Sequence, residues 1–541
     1  MRNRNDTIMT SHYALLTMPI PMAMAILLLL AFLYRIKKQT AMAAKKKRNQ
    51  TELPPGLPTI PIVGNMHQML MNKPVFRWIH RLLDEMNTEI LCLRFGHVHV
   101  ITVASPEIAR EVLRKNDAVL ASRPASFASR AFSFGYKNTI MSPAGDQWKK
   151  MRRVLASEIL SPAMERRLLG RRVEEADHLI NLVYSQCTNK NPNGTVDVRH
   201  VARHFCGNMI RKLVFGRRHF SAPPSNSGDD EVAHIDALFT ALDYLGAFSV
   251  SDYFPALVGL DLDGHEEVVN GLMNTFSRLH DPIIMERMEK WKVLRESNDR
   301  REAADFLDVL VSLEDAQGKP LLSMDEVKAE TLEIILATVD NPSNAVEWAL
   351  AEMVNNAKVM KKAVHELDVV VGKERLVKES DIQNLTYLKA CIREAFRMHP
   401  YHPFNPPHVA VADTTIAGYL IPKDSHVMLS RVGLGRNPRA WNNPLEFRPE
   451  RHLNNASVVL AEPELRFVSF SAGRRGCPAL SLGTSITMML FARLLQGFTW
   501  SLPPGVHKIE LQESPTSLQL SKPLLLEAKP RLPLLHLYVA H

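Results

Sequence analysis

Cys477 is the one side chain of its stretch that can supply a soft anionic ligand. It lies in Phe470–Thr484, which reads F-S-A-G-R-R-G-C-P-A-L-S-L-G-T. Gly473 and Gly476 permit a tight turn around the sulfur, and the apolar segment from Ala479 predicts a helix leading away from it. A thiolate at a helix start is favoured by nearby N–H groups and by the helix dipole, which suits it to the iron of a porphyrin. Arg475 stands close enough in sequence to reach a haem propionate, and Phe470 opens the F-x-x-G-x-R-x-C spacing of the cofactor loop. The other cysteines, 92, 187, 206 and 391, lie in apolar or loop-edge surroundings and read as small packing residues or inert thiols. There is no C-x-x-C, which argues against zinc, and an odd cysteine count argues against a disulfide framework.

A second stretch supplies polar groups. Ser323 and Glu326 form a capping-box pattern, and helical character runs from there to about Val354. Pro342 has no N–H, so the carbonyl of Thr338 loses its helical donor, and Thr338, Asp340, Asn341, Ser343 and Asn344 cluster at this weak point. A helix opened there can hold water in an apolar wall and pass protons to bound oxygen.

The cysteine spacing resembles that of the cytochrome P-450 superfamily, and the resemblance extends from about residue 50 to the C-terminus. Glu394 and Arg397, at i and i+3 of R-E-A-F-R-M-H-P, resemble its structural acid–arginine pair, with Arg451 of F-R-P-E-R-H-L as the third partner. Trp148 and Arg152, at i and i+4 of one helix face, resemble its propionate-binding pair, and His408 resembles a third propionate contact; otherwise they read as a core tryptophan and a solvated arginine. Most of the superfamily sets an acid beside an alcohol on the long helix. Here Asn341 follows Asp340, which puts the alcohol relay in doubt. Pro478 removes an N–H that could bond the thiolate, and Ala479 stands where glycine is preferred.

The departure is itself informative. D-N-P-S-N, P-F-N-P-P-H-V-A, G-Y-L-I-P-K and S-R-V-G-L-G-R-N-P together resemble the plant amino-acid N-hydroxylating branch. That resemblance implies haem b, O2 and NADPH-derived electrons from a reductase. It implies two successive N-hydroxylations of an L-amino acid, followed by loss of water and carbon dioxide to leave an aldoxime. Lys149, Lys150, Arg153 and Arg474 would give a basic rim for the acidic reductase. By the same resemblance the pocket comes from about 126–142, 335–341 and 404–411, with Phe127, Phe132, Phe134, Phe404 and Asn405 among its residues. Arg123, Arg130 and Asn405 are candidates for the substrate carboxylate. Phenylalanines fill cores far more often than they set specificity, so aromatic and aliphatic substrates both stay open. A different class of reading is a haem-thiolate enzyme that rearranges or dehydrates an oxidised substrate without O2 or reductase; a third is a haem-binding scaffold.

Composition sets the frame for these motifs. The 541 residues, 46% hydrophobic and 23% charged, can bury one large core. Nine Lys or Arg against Asp6 and Glu52 place +7 of the net +9 in residues 1–52, and the +2 left over gives no reason to invoke nucleic acid. Tyr13–Tyr34 carries no charge and is long enough to span a bilayer, and the seven cations after it place that side in the cytosol. The expected organisation is a lumenal tail (1–12), a transmembrane anchor (13–34), a basic segment with a proline-rich hinge (35–65) and a haem-thiolate domain (66–541), facing the cytosol on the endoplasmic reticulum. The many helical patterns between about 147 and 400 predict a mainly α body with small β-sheets. Polar breaks at 187–195 and 221–230 read as loops.

Overall fold

A computed structural model describes residues 52–190, 194–218, 229–297, 299, 301–453 and 458–539. The predicted span at 13–34 and its flanks lie outside the described residues, and no helix among those described is long and apolar enough to cross a membrane. The chain divides into a small unit, residues 1–53 with 418–420, and a large one, residues 54–417 with 421–541. In the small unit the Leu420 N–H donates to the Glu52 carbonyl at 2.9 Å. Everything below concerns the large unit.

Ile90–Phe95 (β1) and Val98–Val103 (β2) form the hairpin that the alternating sequence predicts, paired from Ile90↔Val103 to Phe95↔Val98. Gly96 turns it with φ of +56°, and a Cβ there would come within 2.8 Å of the Tyr253 carbonyl. Thr195–Asp197 (β3) belongs to a second sheet. His408–Val409 (β4) and His426–Leu429 (β5) complete a four-stranded sheet in the order β1-β2-β5-β4, with β2 and β5 parallel. The second sheet joins β3 to Phe498–Ser501 (β6) and Leu525–Pro530 (β7) in the order β3-β7-β6. Residues 54–65, expected as a spacer, lie along β1. The Cys92 N–H donates to Pro55, and Asn65 accepts from the Arg94 N–H.

The body is otherwise helical. Phe127–Phe132 (α1), Asp146–Val154 (α2), Val198–Phe215 (α3), Asp229–Leu245 (α4), His265–Glu296 (α5), Met324–Asn355 (α6), Thr386–Met398 (α7) and Leu480–Gly497 (α8) carry the packing. α6 is the central rod. Ser323 accepts from the Glu326 N–H and Glu326 accepts from the Ser323 N–H, the reciprocal cap that the sequence predicts. Apolar residues surround most of α6, so it is buried on all sides, as such a pattern requires. α3 packs along it, started by Asp197 and ended by Gly216 in the left-handed conformation. Trp348 of α6 is fully buried and stacks on His399 at 3.9 Å; truncating it to alanine costs about 3–5 kcal/mol. At Pro342, where the sequence expects a weak point, α6 continues as helix. Of the loops expected, 187–190 closes a helical turn and 229–230 begins α4.

Candidate active site: the cysteine loop and the long helix

The backbone of the cysteine loop is tied by the Cys477 N–H donating to Phe470 at 2.8 Å and the Gly476 N–H donating to Gly473 at 3.0 Å. Gly473 has φ of +72°, and a Cβ there would meet the Leu113 carbonyl and the Asp117 carboxylate, each at 2.5 Å. Only glycine fits. Phe470 meets Phe396 of α7 edge-on at 6.0 Å, so the helix carrying Glu394 and Arg397 buttresses the loop directly. Glu394 is fully buried and accepts from Arg397 Nε and Nη2, from Arg451 Nε and from His452 Nε2, each at 2.8 Å, and from the Arg448 N–H at 3.0 Å. Burial alone would raise its carboxyl, but Arg397 and His452 outweigh burial and hold it at about 2. Trp441 lies under three guanidiniums, those of Arg397, Arg451 and Arg466, at 5.0, 5.8 and 4.6 Å. Sequence reading found the acid and two arginines; His452 and Trp441 were missed, although His452 directly follows Arg451 in the same motif.

Cys477 is exposed, between half-buried Gly476 and Pro478, and Arg475 is the buried residue of the loop. Burial pushes the thiol up, against the Ala479 N–H, Arg152 and Arg431, which favour the thiolate. The Ala479 amide thus does part of what the missing Pro478 amide cannot. Arg152 Nη2 donates to the Gly476 carbonyl at 2.8 Å. Arg475 lies over the Trp148 ring at 4.3 Å and donates to the carbonyls of Ala121, Thr139 and Ser142. Arg123 donates to those of Ile140, Pro406 and Pro407. His408 gives its Nδ1 hydrogen to Leu120 at 2.7 Å, which leaves Nε2 for another partner.

These cations gather with too little anion. Burial, then the Arg475 charge, lowers Arg123 to about 9; burial, with Arg152 adding to it, lowers Arg475 to about 10; burial, then Arg123 and Arg475, lowers His408 to about 3. Two propionates would supply the missing negative charge, so these residues fit a haem whose iron takes Cys477. Sequence reading also missed Glu330 and Glu333 of α6. Glu330 accepts from Thr139, and Glu333 accepts from the Ile140 N–H at 2.7 Å, with Oε1 buried and unpartnered. Burial drives Glu330 well up and Glu333 up to about 8. Their i, i+3 spacing inside an apolar helix was the signal available.

On α6, Ala337 is exposed and Thr338 half-buried in a run that is otherwise buried, which marks where the helix borders open space. Thr338 spends its hydroxyl on the Ile334 carbonyl at 2.8 Å, and Ser343 donates to Val339 and Asp340 carbonyls at the proline turn. Asp340 is buried; Oδ1 accepts from the Asn341 backbone and side chain at 2.7 and 2.9 Å, and Oδ2 meets His402 Nε2 at 3.1 Å. Of the pocket candidates, Phe132 is buried against Phe276, and the Phe127 N–H donates to Asp252. Phe134 packs half-buried on the helical core, while Phe404 belongs to the core beside the four-stranded sheet, stacked on His80 at 5.2 Å. Asn405 accepts from the Leu429 N–H at 2.6 Å, and Arg130 is exposed. The basic rim is largely paired: Lys149 with Asp146, Lys150 with Glu326 and Arg474 with Asp117.

Residues 54–528 match the Cytochrome P450 family model, so the chain belongs to the cytochrome P450 family. Its fold is shared with a solved zebra fish cytochrome P450 determined with abiraterone (TM-score 0.67, 24% identity, covering 85% of this chain and 100% of that one). Within the family the sequence is similar to plant amino-acid N-monooxygenases. It is 59% identical to a tyrosine N-monooxygenase of Sorghum bicolor over 90% of this chain and 87% of that one. It is 51% identical to tryptophan N-monooxygenase 1 of Arabidopsis thaliana over 93% of this chain and 92% of that one.

Proposed function

We propose that this protein N-hydroxylates an aromatic L-amino acid twice and releases the aldoxime. The balance is one amino acid, two O2, two NADPH and two protons in; aldoxime, carbon dioxide, three waters and two NADP+ out. The observation that carries this reading is the pairing, in one chain, of the Cys477 loop with the Asp340-Asn341-Pro342 helix, in a sequence 59% identical to a tyrosine N-monooxygenase. The margin over the 51% tryptophan relative makes L-tyrosine the first substrate to assay. Bound at Cys477, haem supplies the activation of O2 with electrons from NADPH through a reductase.

The chain's own residues set the conditions. The Ala479 N–H, Arg152 and Arg431 favour the thiolate form of Cys477. Arg123, Arg152, Arg475 and His408 take the propionates and fix the ring. His402 is one-quarter exposed at its side chain and touches the buried Asp340, so a proton from solvent reaches Oδ2 through its imidazole. That route replaces the alcohol absent at Asn341. The apolar surroundings disfavour the ammonium, leaving the amine lone pair that N-hydroxylation needs. The body sits on the endoplasmic reticulum through residues 13–34 and meets its reductase on the cysteine side, where Arg153 is exposed. Microsomes holding this chain and a reductase, given NADPH and each of the twenty amino acids, should form aldoxime from an aromatic one. Oxygen-independent turnover of an oxime or hydroperoxide, with no aldoxime from any amino acid, overturns the reading.

A further inference from the structure

An amino acid brings a carboxylate that must lose its water when it enters an apolar pocket, and an unpaired buried carboxylate is costly. The cations the sequence offers for it are committed elsewhere. Arg123 holds three backbone carbonyls through Nε and Nη1 and stands with Arg475 and His408 at the propionate end, Arg130 is exposed, and Asn405 is held by Leu429. Arg152 and Arg475 are bound to backbone carbonyls at the propionate end.

Arg431 has no such commitment. Its side chain makes no hydrogen bond or ion pair among the described residues, and its Nε is buried without a partner. Its place is fixed by its backbone: it follows β5, and its N–H donates to the Pro403 carbonyl at 2.8 Å. One residue before Pro403, His402 meets Asp340; one residue after, Phe404 bridges to Ser430. The strip 402–404 therefore ties the base of Arg431 to the polar turn of α6. The charges that act on its guanidinium are those of Asp340 and Cys477, and none of the propionate-end cations is among them. A guanidinium whose Nε is buried and unpaired, and on which the charges of the catalytic acid and the iron-binding sulfur act, is an anion site awaiting its anion.

We propose that Arg431 is the residue that binds the α-carboxylate of the amino-acid substrate and so sets the α-nitrogen over the haem. This rests on the N-hydroxylation reading above and adds the anchor that reading lacks.

The test uses the haem-loaded full chain and follows the Soret shift on titration with L-tyrosine and with tyramine, which lacks the carboxylate. Losing a buried charged hydrogen bond should weaken L-tyrosine binding to Arg431→Gln about 10- to 150-fold, with tyramine within about twofold of the native protein. Arg431→Lys keeps the charge and loses the fork, so it should lie between the two. If Arg431→Gln does not fold, the lysine variant carries the test through its ratio of L-tyrosine to tyramine affinity, which must fall. Unchanged L-tyrosine binding, or equal weakening of both ligands, overturns the proposal. A native protein that forms aldoxime beside such a result leaves N-hydroxylation standing and removes only Arg431; a native protein that binds and converts no amino acid removes both.

Discussion

Replacing Glu394 with glutamine keeps the shape of the side chain and removes its charge. Oε1 accepts from Arg397, Arg451 and the Arg448 N–H, and Oε2 accepts from Arg397 and His452. In the amide one oxygen becomes an NH2 that faces at least two donors whichever way it is turned. Two charge-assisted hydrogen bonds are lost, at about 1.5–3 kcal/mol each. Removing one partner of a buried ion pair costs about 3–5 kcal/mol by a separate route, and the two agree. Against a total stability of about 5–15 kcal/mol this is about a fifth or more. Urea unfolding followed by loss of the Soret band should show the midpoint fall with the slope unchanged. Lys149→Ala is the control, since its pair with Asp146 is exposed and contributes under about 1 kcal/mol. A Glu394→Gln protein within about 0.5 kcal/mol of native would refute the role given to this cluster.

Three further outcomes are expected. Asp340→Asn should slow aldoxime formation about 10²- to 10⁴-fold with an unchanged Soret spectrum, while NADPH oxidation continues and releases peroxide; a native ratio of product to NADPH contradicts the proton route through His402. Pro342→Ala returns an N–H to the Thr338 carbonyl and should raise the unfolding free energy by up to about 3 kcal/mol while lowering turnover; a lower unfolding free energy shows that the turn needs the ring. The Glu394 carboxyl is held at about 2 against its ordinary 4.5, so the stability it contributes is complete above pH 4.5 and is lost as pH falls through 4.5 toward 2. The stability gap between native and Glu394→Gln protein should therefore narrow over that range, and a constant gap speaks against the assignment.

The parts legible in the sequence are those where spacing and geometry are linked locally. The capping box of α6, the β1–β2 hairpin and the i, i+3 pair of Glu394 and Arg397 each follow from positions a few residues apart. Gly473 was legible as a turn position, which its φ of +72° bears out, but not its crowding by Leu113 and Asp117. The rest depends on partners far along the chain. Arg475 stacks on Trp148 across more than three hundred positions, and Glu333 meets the Ile140 amide across nearly two hundred, so no local pattern announces either. Phe404 shows the limit from the other side. An aromatic residue near the predicted pocket looks the same in sequence whether it lines a cavity or, as here, fills the core beside a sheet. Lys150 likewise reads as a docking charge until Glu326, brought close by the fold, takes it.

The central claim is that Cys477 binds haem iron through sulfur. The direct measurement is the absorption of the purified, reduced protein under carbon monoxide. The account predicts the red-shifted Soret band of thiolate ligation, and its loss in Cys477→Ser. Absence of that band in the native protein, or its survival in the serine variant, would contradict it.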